Sequence, residues 1–270
     1  MSEKSLTLAS NSRSTILEMT SRGNAAHVGS ALSVLDLIAV AYTELKMLPL
    51  EWQAWTSENI VIFSKGHAAA ALYSVLGHEG FFPKDWLSRY SEDGSELGGH
   101  VTFGVPGVEL STGSLGHGLP FGVGVAIKRK RQKLPGRIVV VMSDGELDEG
   151  STWESLLIAS HHNLENLVVL VDRNGLQSLE GTEETLALEP LNQKFEAFGW
   201  EVKIVDGHNH EDIEKALAIS TQSEKPTAII GKTTKGKGVS FMENEVKWHY
   251  RPPNPEELSA ALKELADYEK

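Results

Sequence analysis

The sequence predicts a doubly wound α/β fold: a mainly parallel sheet with helices on both faces. Residues 138–142 and 167–171 are continuous apolar, β-branched runs, the pattern of strands buried on both faces. The interval between them is helical in pattern, so the three segments form a strand–helix–strand unit with a right-handed crossover. The alternation then recurs. Further strand patterns at 59–64, 201–205 and 227–231 are interleaved with helical ones, giving five parallel strands.

Each element has its own warrant. Residues 5–22 are amphipathic through Leu6, Leu8, Ile16, Leu17 and Met19 and predict a helix. A loop with Gly23-Asn24 leads to His27 and Gly29. Residues 33–45 are apolar nearly all round, which predicts a buried helix. Strand 59–64 runs into Lys65-Gly66-His67 and an alanine-rich helix over 68–76. Residues 77–112 carry many glycines and little periodicity, and are expected to form a long functional excursion over the sheet edge, with His100 embedded in it. Thr112-Gly113-Ser114-Leu115-Gly116-His117-Gly118 is expected to open a helix to about residue 132, its N-terminal N–H groups available to an anion. The alternative is a glycine-rich helix packed closely on the sheet. Residues 128–133 give that helix a solvated basic end. Ser151-Thr152-Trp153-Glu154 has the form of a capping box before a helix to about residue 162. Helices are expected at 191–198 and 211–221, a glycine- and lysine-containing loop at 232–246, and a polar helix from about Pro255. With no repeat and no linker, one domain over residues 1–270 is expected, with a C-terminal helical extension from about 252.

Composition narrows the function. Apolar residues make up 40% of the 270 and the net charge is −12, enough for a core and unfavourable to general nucleic-acid binding. A phosphorylated ligand must then be held by local devices. There are no cysteines, which excludes disulfides and thiolate metal sites. Residues 1–11 are polar and give no signal peptide. The longest apolar stretch, 31–48, is broken by Asp36, Glu44 and Lys46, so no membrane span and a soluble cytoplasmic protein are expected.

Parallel strands deliver the residues beyond their C-terminal ends to one sheet edge, where ligands of open α/β sheets gather. Asp144 and Asn174 fall there, and a carboxylate with an amide oxygen suits a hard cation such as Mg²⁺. Gly145 allows a close backbone approach, and Asn174-Gly175 supplies a tight turn. Taken alone, these residues leave open a plainer reading, an Asp and an Asn capping loops. Other motifs fail. Gly231-Lys232-Thr233 lacks the first glycine of a phosphate loop, because Pro226 stands there. Gly122-Val123-Gly124 reaches Ile127 where a dinucleotide fingerprint needs Gly or Ala. His161-His162 are neighbours on a helix and diverge.

Seven short motifs in order resemble the N-terminal, diphosphate-binding part of transketolase along nearly the whole chain. They are Ala26-His27-Val28-Gly29, Ser64-Lys65-Gly66-His67, Gly99-His100, Thr112-Gly113-Ser114-Leu115-Gly116, Ser143-Asp144-Gly145 with Glu149-Gly150, Asp172-Arg173-Asn174-Gly175, and Trp248-His249. The resemblance implies the thiamine diphosphate-binding fold of the diphosphate (PP) type. It implies that Asp144, Asn174 and the backbone carbonyl of Leu176 hold Mg²⁺, and that His67, Gly145 and His249 lie on the diphosphate of thiamine diphosphate. Gly113, Ser114 and Leu115 would line the middle and aminopyrimidine side of the cofactor. His27 and His100 would face the sugar and share proton transfers at its reacting carbonyl. Glu149 would couple, across an interface, to an activating glutamate on another chain.

The chain length is similar to that of the split form of the family. The resemblance then implies a partner, a C-terminal subunit carrying the pyrimidine-binding domain, in an α2β2 assembly. Together they would transfer a two-carbon ketol unit from a ketose donor to an aldose acceptor. Four departures stand out. Ser143 replaces a glycine, Ala-Ala-His-Val-Gly stands for Ser-Gly-His-Pro-Gly, His117 stands for Gln, and Tyr250 for Gly. The second and fourth flank substrate-facing histidines, so the usual pentose-phosphate pair is not carried over. Three alternatives remain: ketol transfer on an unusual or sulfonated sugar or in secondary metabolism, the α subunit of a 2-oxoacid dehydrogenase, and a non-catalytic cofactor-binding protein.

Overall fold

A computed structural model describes residues 2–47, 49 and 57–268. Met1, the end of the apolar stretch at Leu48, and residues 269–270 of the expected domain lie outside the described residues. Nine α-helices and five strands are described: α1 (Ser2–Arg22), α2 (Val28–Glu44), β1 (Ile60–Phe63), α3 (Ala69–His78), α4 (Gly118–Arg131), β2 (Ile138–Ser143), α5 (Gly150–His161), β3 (Leu167–Arg173), α6 (Thr182–Thr185), α7 (Leu191–Ala197), β4 (Glu201–Asp206), α8 (His210–Ser220), β5 (Thr227–Lys232) and α9 (Pro255–Tyr268). The strands are all parallel, in the order β1-β2-β3-β5-β4.

Side chains alternate across this sheet with period two. Val139, Val141, Val168 and Leu170 pack with Ile16 and Leu17 of α1, Leu35 of α2, Leu72 of α3, Ile213 of α8 and Ala261 of α9. Ile138, Val140, Val169 and Val171 pack on the other side with Leu119 of α4, Leu156 of α5 and Phe195 of α7. Helices therefore cover both faces, and the doubly wound class is borne out. The central strands are buried on both sides, which is why they read as unbroken apolar runs.

Several local expectations are corrected. The second helix starts at Val28, five residues early, and is buried from Val28 to Thr43. The glycine-rich segment does not open a helix at 112, because α4 begins at Gly118. The capping box does not form. The 3₁₀ turn Gly145–Asp148 runs almost directly into α5, Glu149 takes the N-cap position, and the Ser151 hydroxyl donates instead to the Gly116 carbonyl at 2.7 Å. The basic end of α4 is not wholly solvated. Arg129 is buried and donates to the carbonyls of Ser57, Glu58 and Pro135. Residues 77–112 contain a 3₁₀ helix, Lys84–Arg89, and contribute Phe81, Phe82, Tyr90 and Leu97 to the core.

Candidate active site

Register brings the site together. Ser143 pairs with Asp172 across β2 and β3, so Asp144 and Asn174 emerge at one edge of two adjacent strands. Both line a cavity of about 250 Å³ with His27, Lys65, His67, His100, Gly113, Leu115, Gly145, Leu176, Lys235 and His249. Asp144 is buried. One carboxylate oxygen accepts the N–H of Gly175 at 2.7 Å and Arg173 at 3.3 Å, the other the N–H of Gly145 at 2.9 Å. Burial, and then the Asp172 carboxylate, raise its pKa above the ordinary carboxylate value. Asn174 offers its amide oxygen to the N–H of Leu176 at 3.0 Å and its amide N–H to Ser33 at 3.2 Å.

The histidines cluster around His27. Its ring lies 5.3 Å from that of His67, 5.7 Å from His100 and 4.8 Å from His249, centre to centre. His27 has φ 72°, a left-handed conformation rare outside glycine, at the N-cap of α2. Its N–H donates to the His249 carbonyl at 2.9 Å, which ties the two together. Burial, then His100, Lys235 and Lys65, lower the His27 pKa to about 4. Burial, then Lys235, His27 and Lys65, lower that of His249 to about 3. His67 is held well below its usual value by burial and by Lys65. All three are neutral near pH 7 and can both donate and accept. His100 is exposed, and its carbonyl accepts the Tyr73 hydroxyl at 3.0 Å. Gly113, at φ 150°, packs against it: a Cβ there would stand 2.9 Å from the His100 ring.

Two predicted residues stand apart from the cavity lining. Ser114 and Glu149 are both exposed. Two N–H groups around the start of α4 point to protein partners rather than to the cavity. The N–H of Gly118 donates to the Ser64 hydroxyl at 3.1 Å, and that of Gly116 to the Glu146 carboxylate at 2.9 Å.

Two lysines were missed by the sequence reading. Lys65, buried, forms an ion pair with Asp172 and donates to the Ser30 carbonyl at 3.0 Å. Asp172 also accepts from Ser33 and Thr233. Lys235, also buried, donates to the carbonyls of Leu176 at 3.1 Å and Gln177 at 2.9 Å and to Nδ1 of His249 at 3.1 Å. An ammonium can only donate, so His249 carries its hydrogen on Nε2. Among the described residues no carboxylate forms an ion pair with Lys235. Burial and the nearby Lys65 lower its pKa to about 8, while Asp144 and Asp172 act in the opposite direction. Lys235 follows β5 by three residues, so the edge rule that singled out Asp144 and Asn174 would have found it too.

The donor set fits a hard cation shared with phosphate. Among the described residues no group of three His, Cys, Asp or Glu could hold a metal ion. One buried carboxylate with neutral oxygens instead leaves ligand positions for phosphate and water, as Mg²⁺ prefers. The Leu176 carbonyl already attracts an ammonium.

A carboxylate, an amide and two lysines beyond the strand ends, with four histidines from the connecting segments, meet in one cavity, the arrangement of an α/β protein that takes its ligand at the C-terminal edge of a parallel sheet. The chain belongs to the family described as transketolase, thiamine diphosphate binding domain, whose model matches residues 5–269. It is 38% identical over 256 residues to one subunit of the apulose-4-phosphate transketolase of Phocaeicola vulgatus, covering 94% of this chain and 91% of that protein. It is 35% identical over 270 residues to 6-deoxy-6-sulfo-D-fructose transketolase subunit SqwG of a Clostridium species, covering 98% of each. The crystal structure of transketolase from Campylobacter jejuni superposes with a TM-score of 0.91 at 30% identity, covering 98% of this chain but 43% of that one. The chain thus spans less than half of that solved transketolase.

Proposed function

We propose that this chain is the diphosphate-binding subunit of a two-subunit, thiamine diphosphate- and Mg²⁺-dependent transketolase. It would form one functional domain over residues 1–270 with α9 as a C-terminal extension. The observation that carries the reading is the convergence of Asp144 and Asn174, at adjacent strand tips, on the cavity lined by His27, His67, His100 and His249.

In this reading Asp144, Asn174 and the Leu176 carbonyl hold Mg²⁺. His67, the Nε2–H of His249 and the backbone at Gly145 hold the diphosphate. Lys235 forms no ion pair with a carboxylate among the described residues and would offer its ammonium to the phosphate. Gly113, Ser114 and Leu115 flank the rest of the cofactor. Bound thiamine diphosphate supplies the nucleophilic carbon and the electron sink for moving a two-carbon unit. His27 and His100 bind the hydroxyls of the sugar and move a proton at the carbonyl oxygen of donor or acceptor. A neutral imidazole suits that work near pH 7. Glu149, which is exposed, would couple to an activating glutamate on the partner.

The partner is a C-terminal subunit with the pyrimidine-binding domain, in an α2β2 assembly. Similar proteins are named as single subunits of a transketolase, which supports a second chain. A cytoplasmic location belongs to the same proposal, since sugar substrates of such an enzyme are handled there. A substrate outside the usual pentose-phosphate pair is favoured by the changes flanking His27 and His249. It is favoured also by similarity to subunits named for apulose-4-phosphate and a sulfonated fructose. The family match favours transketolase over a 2-oxoacid dehydrogenase.

The test is co-expression with a pyrimidine-domain subunit, then measurement of ketol transfer from phosphorylated and sulfonated ketoses. Activity of the pair and inactivity of the lone chain are expected. Full activity of the lone chain would overturn the split assignment. Cofactor uptake by the pair without any ketol transfer would favour the non-catalytic alternative.

A further inference from the structure

The loop after β5 delivers Lys235 to the cavity, and successive residues of it are pinned. Thr233 donates through its hydroxyl to Asp172. The N–H of Gly236 donates to the Gly29 carbonyl at 2.9 Å, and the Lys237 carbonyl accepts from Arg13 at 3.0 Å. The N–H of Thr234 donates to Nε2 of His208 at 2.8 Å. A backbone amide can only donate, so Nε2 of His208 is bare and its hydrogen sits on Nδ1. Nδ1 faces the Asp36 carboxylate at 2.7 Å.

Asp36 is itself fixed. It lies buried in α2 and receives Arg13 at 2.8 and 3.0 Å and Nε2 of His210 at 3.2 Å, while Nδ1 of His210 pairs with the Ser5 hydroxyl at 2.7 Å. Burial alone would raise its pKa, but Arg13, His208 and His210 hold it well below the usual carboxylate range. A buried anion therefore selects one tautomer of His208, and that tautomer is the one able to accept the Thr234 amide.

We infer that His208, oriented by Asp36, is a positioning residue: by accepting the Thr234 N–H it fixes the loop that presents Lys235 to the diphosphate. The consequence for cofactor binding rests on the proposed function; the hold on the loop does not. His208 lies outside the cavity lining and touches no reacting group.

Glutamine and asparagine separate its two ring atoms. A glutamine oxygen reaches the position of Nε2, whereas an asparagine oxygen reaches only that of Nδ1. Hydrogen exchange over residues 233–237 is measured in the full chain without cofactor. Binding of thiamine diphosphate with Mg²⁺ is then titrated in the complex with the partner. His208→Asn is expected to speed exchange at Thr234 and weaken binding about tenfold each, the scale of one lost hydrogen bond. His208→Gln is expected to stay within about threefold of the unaltered protein on both. Equal behaviour of the two variants overturns the inference. So does faster exchange in His208→Asn with unchanged cofactor affinity. If the unaltered complex takes up no thiamine diphosphate, the proposed function fails, and the exchange contrast alone decides whether His208 holds the loop.

Discussion

His27 occupies a left-handed backbone conformation that costs a non-glycine residue about 1–2 kcal/mol, and it persists because its N–H is bound by the His249 carbonyl while its own carbonyl accepts the N–H of Ala31. Strain of this kind gathers at functional sites. Here it turns one imidazole into the middle of a ring of three others. The same crowding sets a pH dependence. The pKa values of His27 and His249 are depressed in the folded chain, to about 4 and about 3, from 6.5. Between those values and 6.5 the unfolded chain binds more protons than the folded one, so stability rises with pH through that window. The stability carried by the two neutral rings is complete above 6.5 and lost as pH falls toward about 4 and then about 3. Thermal unfolding followed from neutral to mildly acidic pH is expected to show a falling midpoint. His27→Asn should reduce the slope; an unchanged slope in that variant would contradict the assignment.

At the scale of elements, the strands and their tips carry the architecture. Lys65, just past β1, is paired inside the protein with Asp172 on β3. Removing one partner of a buried pair leaves an uncompensated charge, so Lys65→Met is expected to cost about 3–5 kcal/mol in denaturant unfolding. The loop before α4 is equally constrained. Gly116 has φ 76°, and a Cβ there would lie 2.5 Å from the Ser151 hydroxyl and 2.7 Å from Cβ of Glu149. Gly116→Ala is expected to destabilise by roughly 1–3 kcal/mol, whereas Gly124→Ala, with open space around it, should not. Strands were legible because burial on both faces writes continuous apolar runs, and Asp144 and Asn174 because strand ends share an edge. The starts of α2, α4 and α5 were not. A capping box describes a helix seen alone, and here the Ser151 hydroxyl is claimed by a carbonyl from a different loop. The Lys65–Asp172–Thr233 network joins residues 61 and 107 positions apart, and no local pattern announces it. The edge rule would have reached Lys235 as well, three residues past the end of β5, but it was not applied there.

At the scale of the whole molecule, the proposed function makes this chain half of a site. On the proposed function the cavity would supply metal ligands, diphosphate donors and sugar-facing histidines, and the solved transketolase the chain superposes on is more than twice as long. Glu149 is exposed directly before α5, and α5 and its neighbour α4 expose Leu157, Ile158 and Phe121. If Glu149 couples to the partner as proposed, Glu149→Gln in the assembled enzyme is expected to lower kcat while leaving metal-dependent cofactor affinity within about threefold, because the proposed role touches the chemistry and not binding. Steady-state kinetics alongside a cofactor titration would show the split.

The most direct test of the central claim is thiamine diphosphate uptake by the assembled complex as Mg²⁺ is titrated, for the unaltered chain and for the double variant Asp144→Ala/Asn174→Ala. Mg²⁺-dependent uptake is predicted in the first. In the second, affinity should fall at least about 100-fold, the upper end of what even outlying metal-site residues contribute, with the assembly intact. Unchanged uptake in the double variant would contradict the claim.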